Sequence, residues 1–205
     1  MPIKILIATD NPGKIAEIKQ IFTDYSFELL FKKDLPQTKN LEIVEDADTL
    51  EGNALLKAKT NGQASGLITL ADDSGLFVEA LDGRPGVHSA RYTGHGDEAN
   101  NIKILAEMQS VPEEKRDCYY EGVVAIYDPQ TNWQTTVSGR WYGRIGYEPR
   151  GTGGFGYAPI FLCRDYDYTL TNAELDEKRK LAVNHRGKAF RAAKELLEAK
   201  YLTNS

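Results

Sequence analysis

The sequence predicts an α/β protein built on a mixed β-sheet flanked by helices. Three observations point there. The chain opens on a strand, a turn and a helix, the start of an α/β unit. Two β-rich stretches later in the chain are separated by a short turn and read as a hairpin, which a purely parallel sheet would not contain. The 205 residues, 41% hydrophobic and 27% charged, have the balance of an ordinary globular core, either one domain or one drawn out into two lobes.

Ile3, Ile5 and Ile7 alternate with Lys4 and Leu6, a mostly buried strand that breaks at the turn-rich residues 9–13. In the helix that follows, Ile15, Ile18, Ile21 and Phe22 form the apolar face, and Lys14, Glu17, Lys19 and Gln20 are expected off it. Asp48 with Glu51 resembles a capping box and should start a second helix over about 51–64. Residues 67–71 read as a short buried strand leading into Asp72 and Asp73. Ile102, Leu105 and Met108 share a register in a helix near 101–108. The hairpin spans 118–127 and 133–145, residues 150–156 form a glycine-rich loop, and 157–162 read as another strand. A final helix over 187–201 places Phe190, Ala193, Leu197 and Tyr201 on one stripe.

Composition excludes several classes. A net charge of −5 argues against bulk binding to nucleic acid or an anionic membrane, while leaving room for a local phosphate pocket. No apolar run approaches the roughly 20 residues that span a bilayer, and Ile3 to Ala8 is too short for a signal-peptide core. Two cysteines, Cys118 and Cys163, match no zinc spacing and are expected as free thiols of a reducing compartment, consistent with a cytoplasmic protein.

Four segments can carry chemistry. Thr9, Asp10, Asn11, Pro12, Gly13 and Lys14 lie between a strand and a helix, where backbone N–H groups attract anions; a plain turn with a solvated lysine is the alternative. Asp72 and Asp73 are adjacent carboxylates at the end of an apolar strand, a repulsion that a hard cation such as Mg2+ would relieve. If the backbone stays extended they point to opposite faces, one toward the metal and one supporting the loop. Glu42, Glu45 and Asp46 form a second acidic group that could complete the coordination. Residues 151–157 superficially match a dinucleotide fingerprint, but the loop is expected to lead into a strand rather than open a helix. Its glycines instead suggest backbone wrapped around something flat, with Phe155 and Tyr157 either stacking on a base or sitting in the core. Lys178, Arg179, Lys180, Asn184, His185 and Arg186 supply donors to carbonyl or phosphate oxygens, or else form a solvated basic face.

Taken in order, these segments resemble the inosine triphosphate pyrophosphatase family, the dITP/XTP diphosphatases, over nearly the whole chain. Residues 9–14 with Glu17 resemble its T/S-x-N-x-x-K-x-x-E motif, and Thr49 through Lys57 its T-F-x-E-N-A-x-x-K-A helix. Residues 71–76 and 85–92 resemble D-D-S-G-L and P-G-x-x-S-A-R-Y, residues 151–161 G-T-G-G-F-G-Y-D-P-I-F, and residues 184–187 S-H-R-G. The resemblance implies an elongated mixed sheet in two lobes with a central cleft, and a homodimer. It implies hydrolysis of ITP, dITP and XTP to the monophosphate and pyrophosphate with magnesium, removing aberrant purines from the nucleotide pool. By the same resemblance Asp73 is the general base and a metal ligand, with Glu45 the second ligand and Glu42 its neighbour. Lys14 and Lys57 hold the triphosphate with Ser74 and the backbone of residues 9–14. Phe155, Gly156, Tyr157 and the position of Ala158 line the base pocket, and Lys180, His185 and Arg186 complete the contacts. Beside magnesium and the lysines, Asp73 is expected to keep a low pKa and stay ionised at neutral pH. Donors from His185 and Arg186 would suit a 6-keto oxygen and oppose adenine's amino group.

Three positions depart from the pattern: Ala158 replaces an aspartate, Asp10 a smaller residue, and Asn184 a serine. Chemistry is expected to survive, while base discrimination or KM suffers. Other readings are a nucleotide-binding protein weakened in turnover by Ala158, and a pyrophosphatase of modified pyrimidine nucleotides.

Overall fold

The computed structural model of the protein describes residues 2–23 and 26–202. In chain order the elements are β1 (Ile3–Ile7), α1 (Pro12–Ile21), β2 (Phe27–Phe31), α2 (Leu50–Ser65), β3 (Ile68–Val78), α3 (Asp97–Glu107), β4 (Asp117–Asp128), β5 (Trp133–Ile145), β6 (Phe161–Cys163), α4 (Glu177–Val183) and α5 (His185–Tyr201). The six strands form one sheet in the order β2-β1-β3-β4-β5-β6. β1 pairs in parallel with β2 and β3, whereas β5 and β6 pair antiparallel, so the sheet is mixed as the sequence predicts. β4 and β5 are sheet neighbours joined by residues 129–132, the expected hairpin.

The chain divides into two compact units. The first holds Met1–Asp73, Gly122–Gly139 and Arg186–Ser205; the second holds Ser74–Glu121 and Arg140–His185. In the first, Ile5, Leu6 and Ile7 of β1, Ile18 of α1, Ala54 and Ala58 of α2, and Phe190, Ala193 and Leu197 of α5 are fully buried. Each large side chain among them contributes about 1.5–3 kcal/mol of burial. The second unit has its own core around Leu76, Val78, Ile104, Met108, Trp141 and Phe161. Among the described residues no helix is long and apolar enough to cross a membrane. Both cysteines are buried free thiols.

The structure corrects several sequence expectations. Thr49, not Asp48, caps α2: its backbone is extended and its Oγ1 accepts from the Gly52 N–H at 3.0 Å. β3 does not stop before the acidic pair but runs through it to Val78. At Gly75 the strand packs tightly against the Gly86 backbone, whose carbonyl oxygen would lie 2.2 Å from a Cβ there. α3 begins four residues earlier than expected, at Asp97, and turns Asn100, Asn101 and Ile104 inward, leaving Ile102 61% exposed. Tyr157 is not in a strand; a 3-10 turn over Ala158–Ile160 precedes the short β6. The glycine-rich loop still opens no α-helix. β2 and α4 carry too weak a periodicity to be read from the sequence, although Asp176 caps α4 through the Arg179 N–H at 2.8 Å. Glu17, expected off the apolar face of α1, is 2% exposed.

Candidate active site

In the first unit, the turn after β1 is shaped by its own side chains. Asn11 Oδ1 accepts from the Gly13 and Lys14 N–H groups at 2.9 and 3.1 Å, capping α1, and Pro12 occupies the first helical turn. Two backbone donors expected to face an anion are thus satisfied by Asn11. The Asn11 N–H in turn reaches Thr9 Oγ1 at 3.3 Å, and Asp10 pairs with Lys32 at 2.8 Å. This leaves the Lys14 side chain as the charge that α1 delivers, and it reaches Asp72 Oδ2 at 2.9 Å.

Because β3 stays extended, Asp72 and Asp73 turn to opposite faces and meet different partners. Asp72 is 5% exposed and accepts from Lys14 and from Arg186 Nε at 3.2 Å. Arg186 also donates through Nη1 to Glu17 Oε2 at 2.6 Å. The guanidinium expected to contact substrate therefore binds two buried carboxylates of its own unit. Burial by itself would raise the Asp72 carboxyl, but Lys14, Arg186 and Lys57 overrule it and hold it well below the ordinary range. Burial, with Arg186 and Lys57 nearby, lowers the Lys14 ammonium against the pull of Asp72.

Asp73 faces α2. Lys57 Nζ donates to Asp73 Oδ1 at 3.2 Å and to Glu45 Oε2 at 3.0 Å. Asn53, four residues before Lys57 on the same face of α2, donates to Asp73 Oδ2 at 3.2 Å and accepts from the Ala47 N–H at 3.0 Å. Asn53 is not among the expected site residues, although it stands at the asparagine of the helix motif, four residues before Lys57. Burial raises the Asp73 carboxyl above its ordinary value, with Glu45 adding and Lys57 and Lys14 opposing. The protein's own groups therefore give the low carboxyl to Asp72 and not to Asp73. Burial would lower Lys57, yet Asp73, Asp72 and Glu45 together raise it.

Glu45 and Asp73 flank one cationic position, taken by the Lys57 ammonium, whereas Glu42 is exposed. Among the described residues no group of three or more His, Cys, Asp or Glu side chains could hold a metal by itself. Two hard carboxylates suit Mg2+, which keeps several waters and draws its other ligands from phosphates. The donor set fits that ion.

In the second unit, Ser74 of β3 is half-buried. The two aromatics of the glycine-rich loop take different roles. Phe155 is 40% exposed, with Lys180 Nζ 5.3 Å from its ring centroid. Tyr157 is a core residue: it is 3% exposed and its Oη donates to the Ser89 carbonyl at 2.8 Å. Ala158 is buried, and its Cβ and Lys180 Nζ lie 3.0 and 3.6 Å from where a Cβ on Gly154 would stand. His185 is buried and stacked on Tyr120 at 4.9 Å and 12°. Lys178 and Arg179 are exposed, so the basic run splits into two solvated residues and the buried Lys180, with Asn184 also buried.

Fold and site together define an α/β protein whose central strand presents two differently partnered aspartates between lysine-bearing helices. The Ham1 family profile matches residues 5–196, and the chain belongs to that family. It is 45% identical over 196 residues to the dITP/XTP pyrophosphatase of Geobacter sulfurreducens, covering 95% of this chain and 96% of that one. It is 39% identical to the dITP/XTP pyrophosphatase of Bacillus subtilis, covering 95% and 96%. Among solved structures, a HAM1 protein from Coxiella burnetii superposes with a TM-score of 0.86 at 32% identity, over 96% of this chain and 99% of that one. The nucleoside-triphosphatase, or dITP/XTP pyrophosphatase, of Mycobacterium abscessus gives 0.75 at 38% identity, over 95% and 99%.

Proposed function

We propose that this protein hydrolyses non-canonical purine nucleoside triphosphates, dITP, ITP and XTP, to the monophosphate and pyrophosphate. The observation that carries the reading is the setting of Asp73, a carboxylate held by Lys57 and Asn53 with Lys14 on the neighbouring aspartate. Breaking the bond between the α and β phosphates requires an oriented water and neutralised charge, with little covalent help from protein. A water oxygen bonds to the α phosphorus, its proton passes to the Asp73 carboxylate, the bond from that phosphorus to the α–β bridging oxygen breaks, and pyrophosphate departs with that oxygen. Asp73, held in place by Lys57 and Asn53, is the carboxylate positioned to receive that proton. Lys14 and Lys57 bring positive charge to the phosphates. Glu45 and Asp73 would hold Mg2+, which supplies charge neutralisation when bound. In the second unit, the exposed Phe155 ring fits a flat base, and Lys180 and His185 supply donors matched to a 6-keto oxygen.

The test is pyrophosphate release from ITP, with ATP and GTP as controls, with and without magnesium. Magnesium-dependent release from ITP alone supports the reading. Tight ITP binding without release would favour a nucleotide-binding role, and preference for modified pyrimidine triphosphates would move the substrate class. By its family resemblance we also propose a homodimer, which sedimentation equilibrium tests directly.

A further inference from the structure

Phe155 sits between two glycines in the left-handed region, Gly154 at φ +79° and Gly156 at φ +64°. Glycine has little conformational preference of its own, so the position of the ring between them must be imposed from outside. Part of that constraint is backbone: the Gly153 N–H donates to the Ala173 carbonyl at 3.0 Å. The Ala158 N–H also donates to the Phe155 carbonyl at 3.3 Å, and α3 adds two further contacts. The Gly156 N–H donates to Asp97 Oδ2 at 2.6 Å, and the Gly156 carbonyl accepts from Asn101 Nδ2 at 3.0 Å. Asp97 and Asn101 are four residues apart and share one face of the helix. Between them they fix the peptide planes on both sides of Gly156.

Asn101 is 7% exposed and its Oδ1 has no hydrogen-bond partner. A buried unpaired acceptor costs stability. Turning the amide over would set that oxygen against the Gly156 carbonyl, so the hold on Gly156 fixes its orientation. Asp97 and Asn101 also line, with Thr152 and Phe155, a cavity of about 370 Å3.

We infer that Asp97 and Asn101 are positioning residues for base recognition, acting through Gly156 to hold the Phe155 ring where a purine stacks. The inference rests on the proposed function and adds the residues that set its base pocket.

The experiment compares the parent protein with Asp97→Ala, Asp97→Asn and Asn101→Ala, measuring ITP turnover and the affinities for IMP and for pyrophosphate. Asp97→Ala and Asn101→Ala should each raise KM for ITP about tenfold and weaken IMP to a similar degree, with kcat within about threefold, the pattern of lost uniform binding. Pyrophosphate affinity should not move. Asp97→Asn keeps an acceptor oxygen and should restore most of the loss. The double alanine variant should lose less than the product of the singles, because both act on one glycine. Should Asp97→Ala not fold, Asn101→Ala carries the same comparison. Unchanged KM and IMP affinity in the alanine variants would overturn the inference, and so would parallel losses for IMP and pyrophosphate. No ITP turnover by the folded parent would overturn the proposed function itself, a result read without any variant.

Discussion

Arg186 and Glu17 form an ion pair at 2.6 Å with each side chain only 3% exposed, joining the start of α5 to the first turns of α1. Arg186 then reaches Asp72 through Nε, so one guanidinium serves two buried carboxylates. Removing one partner of such a pair leaves a buried charge uncompensated, which costs about 3–5 kcal/mol. Arg186→Met should therefore destabilise the fold by roughly that amount, read by urea unfolding. A midpoint close to that of the parent would show that the carboxylates find other partners.

Asp73→Asn should separate chemistry from stability. Burial opposes the charged carboxyl while Lys57 favours it, and Glu45 stays beside the Lys57 ammonium when Asp73 is replaced. Loss of the proton acceptor should lower kcat about 10²–10⁴-fold. The thermal midpoint should stay within a few degrees of the parent. A variant retaining near-parental kcat would remove Asp73 from the catalytic role.

Metal dependence should track Glu45. Chelation by EDTA should abolish ITP hydrolysis, and Mg2+ should restore it. Glu45→Gln removes one of two carboxylates around the Lys57 ammonium and should raise the magnesium concentration needed for half-maximal rate about tenfold or more. A magnesium titration unchanged by the substitution would take Glu45 out of the ligand set.

Position 158 offers a gain of function. Ala158 is buried, and its Cβ and Lys180 Nζ both lie within 3.6 Å of where a Cβ on Gly154 would stand, so a longer carboxylate side chain there would extend into a region that holds a cation. Ala158→Asp should raise kcat/KM for ITP about 3–10-fold, one good polar contact at most. No improvement would show that the alanine already suits this pocket.

Acid stability should depend on Asp128. Burial would raise its carboxyl, but hydrogen bonds from Thr131, Tyr201 and the backbone of Gln130 and Thr131 outweigh burial and lower it. Tyr201 Oη donates to Oδ2 at 2.8 Å. A folded-state value below the unfolded one adds stability that is present above the unfolded value of about 4 and is lost as pH falls through the folded one. Tyr201→Phe should cost about 1 kcal/mol at pH 7, with the gap from the parent closing below about pH 4. A gap independent of pH would mean that packing, not the carboxylate, sets the cost.

Local pattern was enough to read the elements whose residues bury themselves along a short stretch of chain. The β1 strand, the β4–β5 hairpin and the Phe190, Ala193, Leu197 stripe of α5 follow from spacing, because period and burial agree there. Pattern failed where a polar residue is buried by a distant partner. Glu17 reads as a surface residue of α1 until Arg186, 169 positions later in the chain, is brought to it. Asn101 reads as polar and Ile102 as core, yet the structure buries the asparagine against Gly156 and exposes the isoleucine. The cap of α2 lies one residue later than the pattern suggests, because the Thr49 hydroxyl, on an extended backbone, accepts from the Gly52 N–H.

The candidate site divides the same way. The sequence alone determined which residues are present to do chemistry: adjacent aspartates, a lysine at the start of one helix and another within the next, a glycine-rich loop with aromatics and a late basic run. Only the tertiary structure decided their duties. It gave Asp72 to Lys14 and Arg186 and Asp73 to Lys57 and Asn53, put Tyr157 in the core, and left Phe155 exposed. Residue type and spacing act along the chain. The pairing of a buried charge is a through-space Coulombic and desolvation problem, solved only when distant segments meet.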